Sequence, residues 1–243
     1  MPKKPTRSPN PVTDIEQVLK RAYPDSVLEI IGVLEDSYLA GLLPSLRDAL
    51  ASIPQTTILH DQPPQDEPRP DPAFDHDENP PMVSEQSRSY HQFFVALRDT
   101  RFEYDAEDLA PDENGVERTV RGKGTWGCVV GVSLVAPVAV VILDAIETFE
   151  DGSVIQPDVH PQRFDLDMKP LDMDEHVREA LGDDALAGLH DLHERIAHAL
   201  DGLGVRVLSA EEAGRPVPWL RAGEGALVEG TVTVRDALFL RSM

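Results

Sequence analysis

Residues 125–143 are the feature that most constrains the fold, because this stretch carries no charge and reads TWGCVVGVSLVAPVAVVIL. The chain has 243 residues, of which 44 are Asp or Glu. The hydrophobic core therefore has to form around this stretch. An apolar run of this length fits two buried strands, a buried helix or a membrane-spanning helix, and periodicity alone does not separate the three.

The composition of the stretch favours two strands. Eight of its residues are Val or Ile, which are β-branched and pack well on a pleated sheet. Pro137 lies near the middle, where it would break a helix but is compatible with a connection between strands. Two glycines, a serine and this proline also make membrane insertion marginal in free energy. We therefore predict two buried strands joined near Pro137.

Turn-forming residues flank the two predicted strands and extend the sheet. Residues 112–115 (DENG) separate two strand-like segments upstream, and residues 150–152 (EDG) separate the second apolar strand from a segment at 153–159. Both arrangements are typical of hairpins. The sequence thus predicts an α+β protein built on an antiparallel β-meander of about five strands, with helices packed on one side and a short helical N-terminal segment before it.

The predicted organisation of the chain has four parts. Residues 1–11 are a disordered leader, 12–53 a helical N-terminal segment, 54–83 a Pro/Asp-rich linker and 84–243 the α+β domain. Eight prolines and seven acidic residues between positions 54 and 81 indicate the linker, since such a composition buries too little apolar surface to fold.

Helices are predicted at several places from apolar periodicity and capping residues. The capping-box spacing of Thr13 and Glu16 begins the first helix, and a second is expected through residues 27–34. Further helices are expected at 84–98, 173–181 and 184–201.

The charge of the chain limits the classes of partner. It has 22 basic and 44 acidic residues and a net charge of −22, which argues against nucleic acid and anionic membrane surfaces. Such a charge would attract a basic protein, whereas a salt-adapted or GC-rich source would explain it without any partner.

The cysteine content and the first residues of the chain limit the kinds of site and the cellular location that we expect. The single cysteine, Cys128, excludes a disulfide framework and a thiolate metal site. No apolar signal segment follows the basic N-terminus, so a cytoplasmic location is expected.

One glycine pattern has the letters of a nucleotide-binding motif. Residues 122–127 read GKGTWG, which matches G-x-G-x-x-G. A dinucleotide site needs a buried strand before this pattern and a helix after it. Here a charged strand precedes and a valine-rich strand follows, so the glycines are expected to serve a turn or bulge.

An acidic cluster in residues 160–176 suggests a metal site. Its candidate ligands are Asp165, Asp167, Asp172, Asp174, His160 and His176. Oxygen and imidazole ligands suit Mg²⁺, Mn²⁺ or Zn²⁺. Because acidic residues are so frequent in this chain, closely spaced pairs arise by chance, and the sequence favours a solvated surface.

Histidines on the predicted helix 184–201 offer a second metal candidate. At 100° per residue, His190 and His193 could share a metal, but His198 points away from His193. The HExxH spacing of zinc proteases is absent. Ser133 lacks the second glycine of a nucleophile elbow. We therefore assign no catalytic, cofactor-binding or metal-binding residue.

These observations favour an acidic, non-enzymatic protein-binding module that is soluble and acts on a basic protein partner, for example as an inhibitor or immunity-type protein. Two alternatives remain open. One is a metal-dependent enzyme that uses the Asp/His cluster at 160–176, and the other is a membrane-associated component that inserts residues 125–143.

Overall fold

A computed structural model describes residues 14–28, 38–62, 89–111, 117–150, 152–155, 157–159, 172–223, 226, 228 and 230–240. It shows the predicted α+β fold with a mostly antiparallel sheet. In chain order, the elements are α1 (Ile15–Ala22), β1 (Val27–Leu28), α2 (Tyr38–Ala51), β2 (Thr56–Gln62), β3 (Tyr90–Leu97), β4 (Glu103–Pro111), β5 (Glu117–Ser133), β6 (Val138–Phe149), β7 (Val154–Ile155), α3 (Met173–Leu181), α4 (Asp183–Gly202), β8 (Arg206–Val207), α5 (Ala210–Gly214), β9 (Arg221–Ala222) and α6 (Val234–Leu238).

Strands β5 and β6 form the centre of a seven-stranded sheet. The order is β2-β3-β5-β6-β7, β4 pairs with the first part of β5, and β8 pairs in parallel with the start of β6. The ladder between β5 and β6 runs from Gly122 opposite Phe149 to Val132 opposite Ala139. Because Pro137 lies in the connection between β5 and β6, the prediction of two strands joined there is confirmed.

The two faces of the sheet belong to two hydrophobic cores. Trp126, Cys128 and Val130 of β5 pack with α2, α3 and α4 in the first core. Val129 faces the second core, which contains residues of α1, α5 and α6. Successive strand residues point to opposite faces, so a strand that is covered on both faces needs apolar residues without alternation. This requirement explains the uncharged stretch.

The three longest helices, α2, α3 and α4, lie on the first face, as the predicted layer of helices on one side requires. The predicted helices at 173–181 and 184–201 are confirmed. Gly182 separates them with φ +87°, a conformation that glycine adopts without strain. The short helices α1, near the N-terminus, and α5 and α6, near the C-terminus, cover the second face. There the Tyr23 hydroxyl donates to the Ala237 carbonyl at 2.6 Å.

The helix expected at 84–98 is wrong. Residues 84–88 lie outside the described residues, and Tyr90–Leu97 form β3, which pairs with β2 and β5. Phe93 lies in the first core and Phe94 in the second. A run of consecutive apolar residues fits a buried helix or a strand with two buried faces, and pairing with β5 decides for the strand.

Two further expectations about the N-terminal third are corrected. Thr56–Gln62, at the start of the predicted linker, form β2, whereas residues 63–83 lie outside the described residues. Val27–Leu28, at the start of the predicted second helix, form β1 and pair in parallel with Arg221–Ala222; residues 29–34 of that helix lie outside the described residues. The Asp14 side chain caps α1 by accepting hydrogen bonds from the backbone N–H groups of Glu16 and Gln17. The predicted leader at 1–11 lies outside the described residues.

Replacing Val130 with aspartate should strongly destabilise the fold, because the side chain of Val130 is 0% exposed in the first core. An unpaired charge at this position should lower the free energy of unfolding by about 3–5 kcal/mol. The control is Val154→Asp on β7, at a side chain that is 42% exposed; it should cost less than about 0.5 kcal/mol. Urea denaturation measures both values, and equal losses would contradict the assigned core.

Candidate functional site

The outer edge of β6 is paired at its two ends and open between them. Val138–Ala139 pair with β8, and Glu147–Thr148 pair with β7. Within the described part of the chain, no strand pairs with the outer edge at positions 140–143. The Leu208 N–H donates to the Ala139 carbonyl at 2.9 Å. The backbone N–H and C=O groups of odd-numbered residues in this part of β6 therefore point away from β5. By alternation, the N–H and C=O groups of Val141 and Leu143 also face outward.

A groove of about 510 Å³ lies along this open edge, between the helices of the two faces. We call it the β6-edge groove. Residues 140–143 form its floor, and residues at the start of α3 and in the middle of α4 form one wall. Leu208, the first turns of α5 and Arg235 of α6 form the other wall. The floor thus offers backbone hydrogen-bonding groups, and the walls offer side chains.

The α3–α4 wall is acidic. It carries Asp172, Asp174 and Glu194, together with His190 and His193. The His190 Nε2 atom lies 3.1 Å from the Asp174 Oδ1 atom. Burial and the neighbouring His190 lower the pKa of His193, and the backbone of Val141 offsets this only in part. His193 is therefore uncharged at neutral pH, and the carboxylates dominate this wall.

The opposite wall contains a cation, Arg235, with one nitrogen that lacks an acceptor among the described residues. Arg235 is half-buried, and its Nε atom is fully buried without a hydrogen-bond acceptor among the described residues. Burial lowers the pKa of the guanidinium, and the neighbouring Asp236 opposes that effect. Arginine nevertheless stays protonated in proteins. The groove therefore presents a desolvated positive charge opposite its acidic wall.

The structure places the predicted metal ligands in different environments. Asp172 caps α3 by accepting hydrogen bonds from the N–H groups of Asp174 and Glu175. The His176 ring packs edge-on against Trp126, with ring centroids 5.6 Å apart. His160, Asp165 and Asp167 lie outside the described residues.

Asp174, His190 and His193 do come together, as lining of the β6-edge groove. His198 instead lies exposed on α4 beside α2. Within the described residues, no group of three or more His, Cys, Asp or Glu side chains could hold a metal ion.

The glycine pattern at 122–127 lies inside β5, so the expected turn or bulge is wrong. Gly124 is covered by the ring of Tyr104, and a Cβ atom there would lie 2.1 Å from the Tyr104 Cζ atom. Gly127 likewise faces the Val95 carbonyl and the ring of Phe94. The glycines allow aromatic rings to lie directly on the strand, a role that the spacing of the motif does not reveal.

A buried polar cluster joins α2, β2 and β3. The His91 side chain is 0% exposed, and its Nε2 atom lies 2.5 Å from the Asp61 Oδ1 atom. Arg47 of α2 bonds the other carboxylate oxygen. Burial opposes ionisation of Asp61, but the hydrogen bonds from Arg47 and His91 outweigh it and lower its pKa. These residues are far apart in sequence and follow no motif spacing, so sequence reasoning missed the cluster.

The same cluster lacks the contacts of a catalytic dyad. Burial lowers the pKa of His91, and Asp61 offsets this only in part. The Nδ1 atom of His91 is buried and has no hydrogen-bond partner among the described residues. A nucleophile would have to contact this atom, so we assign the cluster to packing of α2 on the sheet.

Candidate nucleophiles are engaged elsewhere. The Ser133 hydroxyl donates to the Leu238 carbonyl at 2.7 Å, and the Ser209 Oγ atom accepts from the Glu212 N–H at the start of α5. Burial raises the pKa of the Cys128 thiol to about 12, and a protonated thiol is a poor nucleophile. The Ser133, Ser209 and Cys128 side chains therefore serve the fold.

Comparisons with known proteins add no assignment: no family model, curated protein or solved structure matches the chain. In the described part of the chain, none of the helices has both the length and the apolar composition that crossing a membrane requires. Residues 125–143, the candidate for membrane insertion, lie mostly in β5 and β6.

Gly124→Ala should destabilise the protein, because the new methyl group would overlap the Tyr104 ring. We expect the free energy of unfolding to fall by about 1–3 kcal/mol. Gly41→Ala in α2 is the matched control, since a Cβ atom there meets nothing within 4 Å. It should stabilise the helix by about 0.5–1 kcal/mol. Thermal and urea denaturation test both variants; a harmless Gly124→Ala would contradict this packing role.

Acid should destabilise the protein partly through His91. Its pKa in the folded state is lowered, so the unfolded chain binds the proton more readily. The contribution is fully present above the ordinary histidine pKa of about 6.5 and is lost as pH falls below it. His91→Gln, which can still donate to Asp61, should flatten the dependence of unfolding free energy on pH below this value. His198→Gln on the exposed side of α4 should leave it unchanged, and identical curves for wild type and His91→Gln would contradict the assignment.

Proposed function

We propose that this protein is a non-enzymatic binding module that takes up an extended, basic segment of a partner protein as an added strand on β6. The observation that carries the proposal is the open edge at residues 140–143, which lies inside an acidic groove. An unpaired strand edge offers a row of N–H and C=O groups to another extended chain.

The size of the opening defines the length of the segment. The part of this opening that floors the groove is residues 140–143, and at about 3.3 Å per residue these four residues correspond to roughly 13 Å of added strand. Among the described residues, the unpaired edge itself continues to Ile146. The Val141 N–H and the N–H and C=O groups of Leu143 would supply the backbone hydrogen bonds, since the Val141 carbonyl already accepts from His193. Alternate side chains of the segment would point toward the α3–α4 wall and the α5–α6 wall.

Charge defines the chemistry of the partner. The groove is lined by three carboxylates, from Asp172, Asp174 and Glu194, and by one guanidinium. Lysine or arginine side chains of the segment would lie against the acidic wall. The net charge of −22 would also steer a basic protein toward this surface at long range. An inhibitor or immunity-type protein acting on a basic partner is a concrete form of this proposal, and a cytoplasmic location stays a prediction.

The proposal is tested by affinity selection from a pool of random heptapeptides, with mass spectrometry of the retained peptides. We expect the wild-type protein to retain peptides enriched in Lys and Arg over the input pool. Val141→Pro should abolish retention, because it removes an outward-facing N–H while leaving the ladder with β5 intact. Val141→Thr keeps the N–H and a similar shape, so it serves as the matched control and should retain the same peptides.

A second pair of variants tests whether the acidic wall selects basic peptides. Asp174→Asn combined with Glu194→Gln should remove the enrichment in Lys and Arg, whereas Asp183→Asn combined with Glu211→Gln, at exposed positions outside the groove, should not. High salt should weaken retention by wild type. Retention of no peptide, equal retention by Val141→Pro, or pairing of this edge with a second copy of the chain would overturn the proposal.

A further inference from the structure

Arg235 is the group in the β6-edge groove whose hydrogen bonding is incomplete. Its Nε atom is buried without an acceptor among the described residues. A buried polar group without a partner costs free energy, and a charged one costs more. The Nε atom itself is buried, but the side chain lines the groove, so a bound molecule could contact the guanidinium there. The ligand that best matches a guanidinium is a carboxylate, which can accept two parallel hydrogen bonds.

Carboxylates of the surrounding helices already serve other groups. Asp236 accepts hydrogen bonds from the N–H and hydroxyl of Thr233 and so caps α6. Glu212 of α5 accepts a hydrogen bond from Arg206 at 2.6 Å. The acids of the other wall face Arg235 across the groove. Among the described residues, Asp236 and Glu212 are thus committed to other groups, and an occupant of the groove can supply a carboxylate for Arg235.

The position of Arg235 also indicates which part of the occupant supplies the carboxylate. β8 already pairs with Val138–Ala139, so an added strand has to end, or leave the sheet, beside Val140. The chain continues from β8 directly into α5, and α5 packs against α6, which carries Arg235. Arg235 thus belongs to the wall at the closed end of the groove. A chain terminus that stops there and carries negative charge is a C-terminus.

We propose that Arg235 binds the C-terminal carboxylate of the partner segment, so that the groove recognises a short basic C-terminal tail. This inference rests on the proposed function, namely strand addition to β6. The tail runs from Leu143 toward Val140, antiparallel to β6. Its free carboxylate meets the cationic wall, and its lysine or arginine side chains meet the acidic wall.

The test compares two random heptapeptide pools that differ in one group. One pool ends in a free carboxylate and the other in a carboxamide. Wild type should retain peptides from the free-acid pool with a preference of roughly ten-fold or more, as expected for charge-assisted hydrogen bonds. Arg235→Gln should reduce the preference to about one-fold if those bonds supply it. Arg235→Lys keeps the charge without the planar fork and should give an intermediate preference.

Arg215→Gln is the matched control, because Arg215 is exposed and does not line the groove; its preference should equal that of wild type. Thermal denaturation establishes that each variant is folded. Removing an unpaired, desolvated charge should leave the melting temperature of Arg235→Gln unchanged or raise it. A lower melting temperature for this variant would contradict an unpartnered Arg235.

The outcomes separate this inference from the function on which it rests. Equal retention from both pools by wild type, or an undiminished preference in Arg235→Gln, overturns the role of Arg235 and leaves strand addition standing. Enrichment of Asp or Glu in peptides from the carboxamide pool assigns Arg235 to an acidic side chain and also overturns the C-terminal assignment. Retention from neither pool overturns strand addition itself.

Discussion

The ladder between β5 and β6 is the interaction on which the rest of the structure depends. It joins the two apolar strands from Gly122 and Phe149 at one end to Val132 and Ala139 at the other. Because both strands are covered on both faces, their side chains supply the centre of two cores rather than one. The helices from the N-terminal third and from the C-terminal third therefore pack on a sheet that neither part of the chain forms alone.

The candidate site follows from unequal lengths of strands around this ladder. β5 has 17 residues, and β4 and β3 follow one another along a single edge of it. On the outer edge of β6, β7 and β8 have two residues each. Within the described part of the chain they leave positions 140–146 between them, of which 140–143 line the groove. The helices on the two faces extend beyond this edge and form the walls. The groove is thus a consequence of the architecture, and it needs no motif in the sequence.

The acidity of the chain has different consequences at the surface and at this groove. Exposed ion pairs such as Lys20 with Glu16 contribute little to stability, because water and salt screen them. Inside the groove, Asp174 and Glu194 lie opposite a desolvated Arg235. The two carboxylates are partly exposed and screened by water, whereas a buried charge such as that of Arg235 interacts more strongly with its surroundings. The net charge therefore favours a basic partner in general. The arrangement of a few charged side chains in the groove would determine how one end of that partner binds.

Elements that depend on local chemistry could be predicted from the amino-acid sequence. The uncharged run identified β5 and β6, and Pro137 their connection. Apolar periodicity identified the helices at 173–181 and 184–201. These signals act between neighbours in the chain and need no knowledge of the fold. Tertiary structure alone decided that Tyr90–Leu97 are a strand, because an apolar run satisfies either structure until a partner strand pairs with it. It alone also brought Val141, His190 and Arg235 into one groove, since sheet pairing and helix packing join residues whose distance in sequence carries no information about contact.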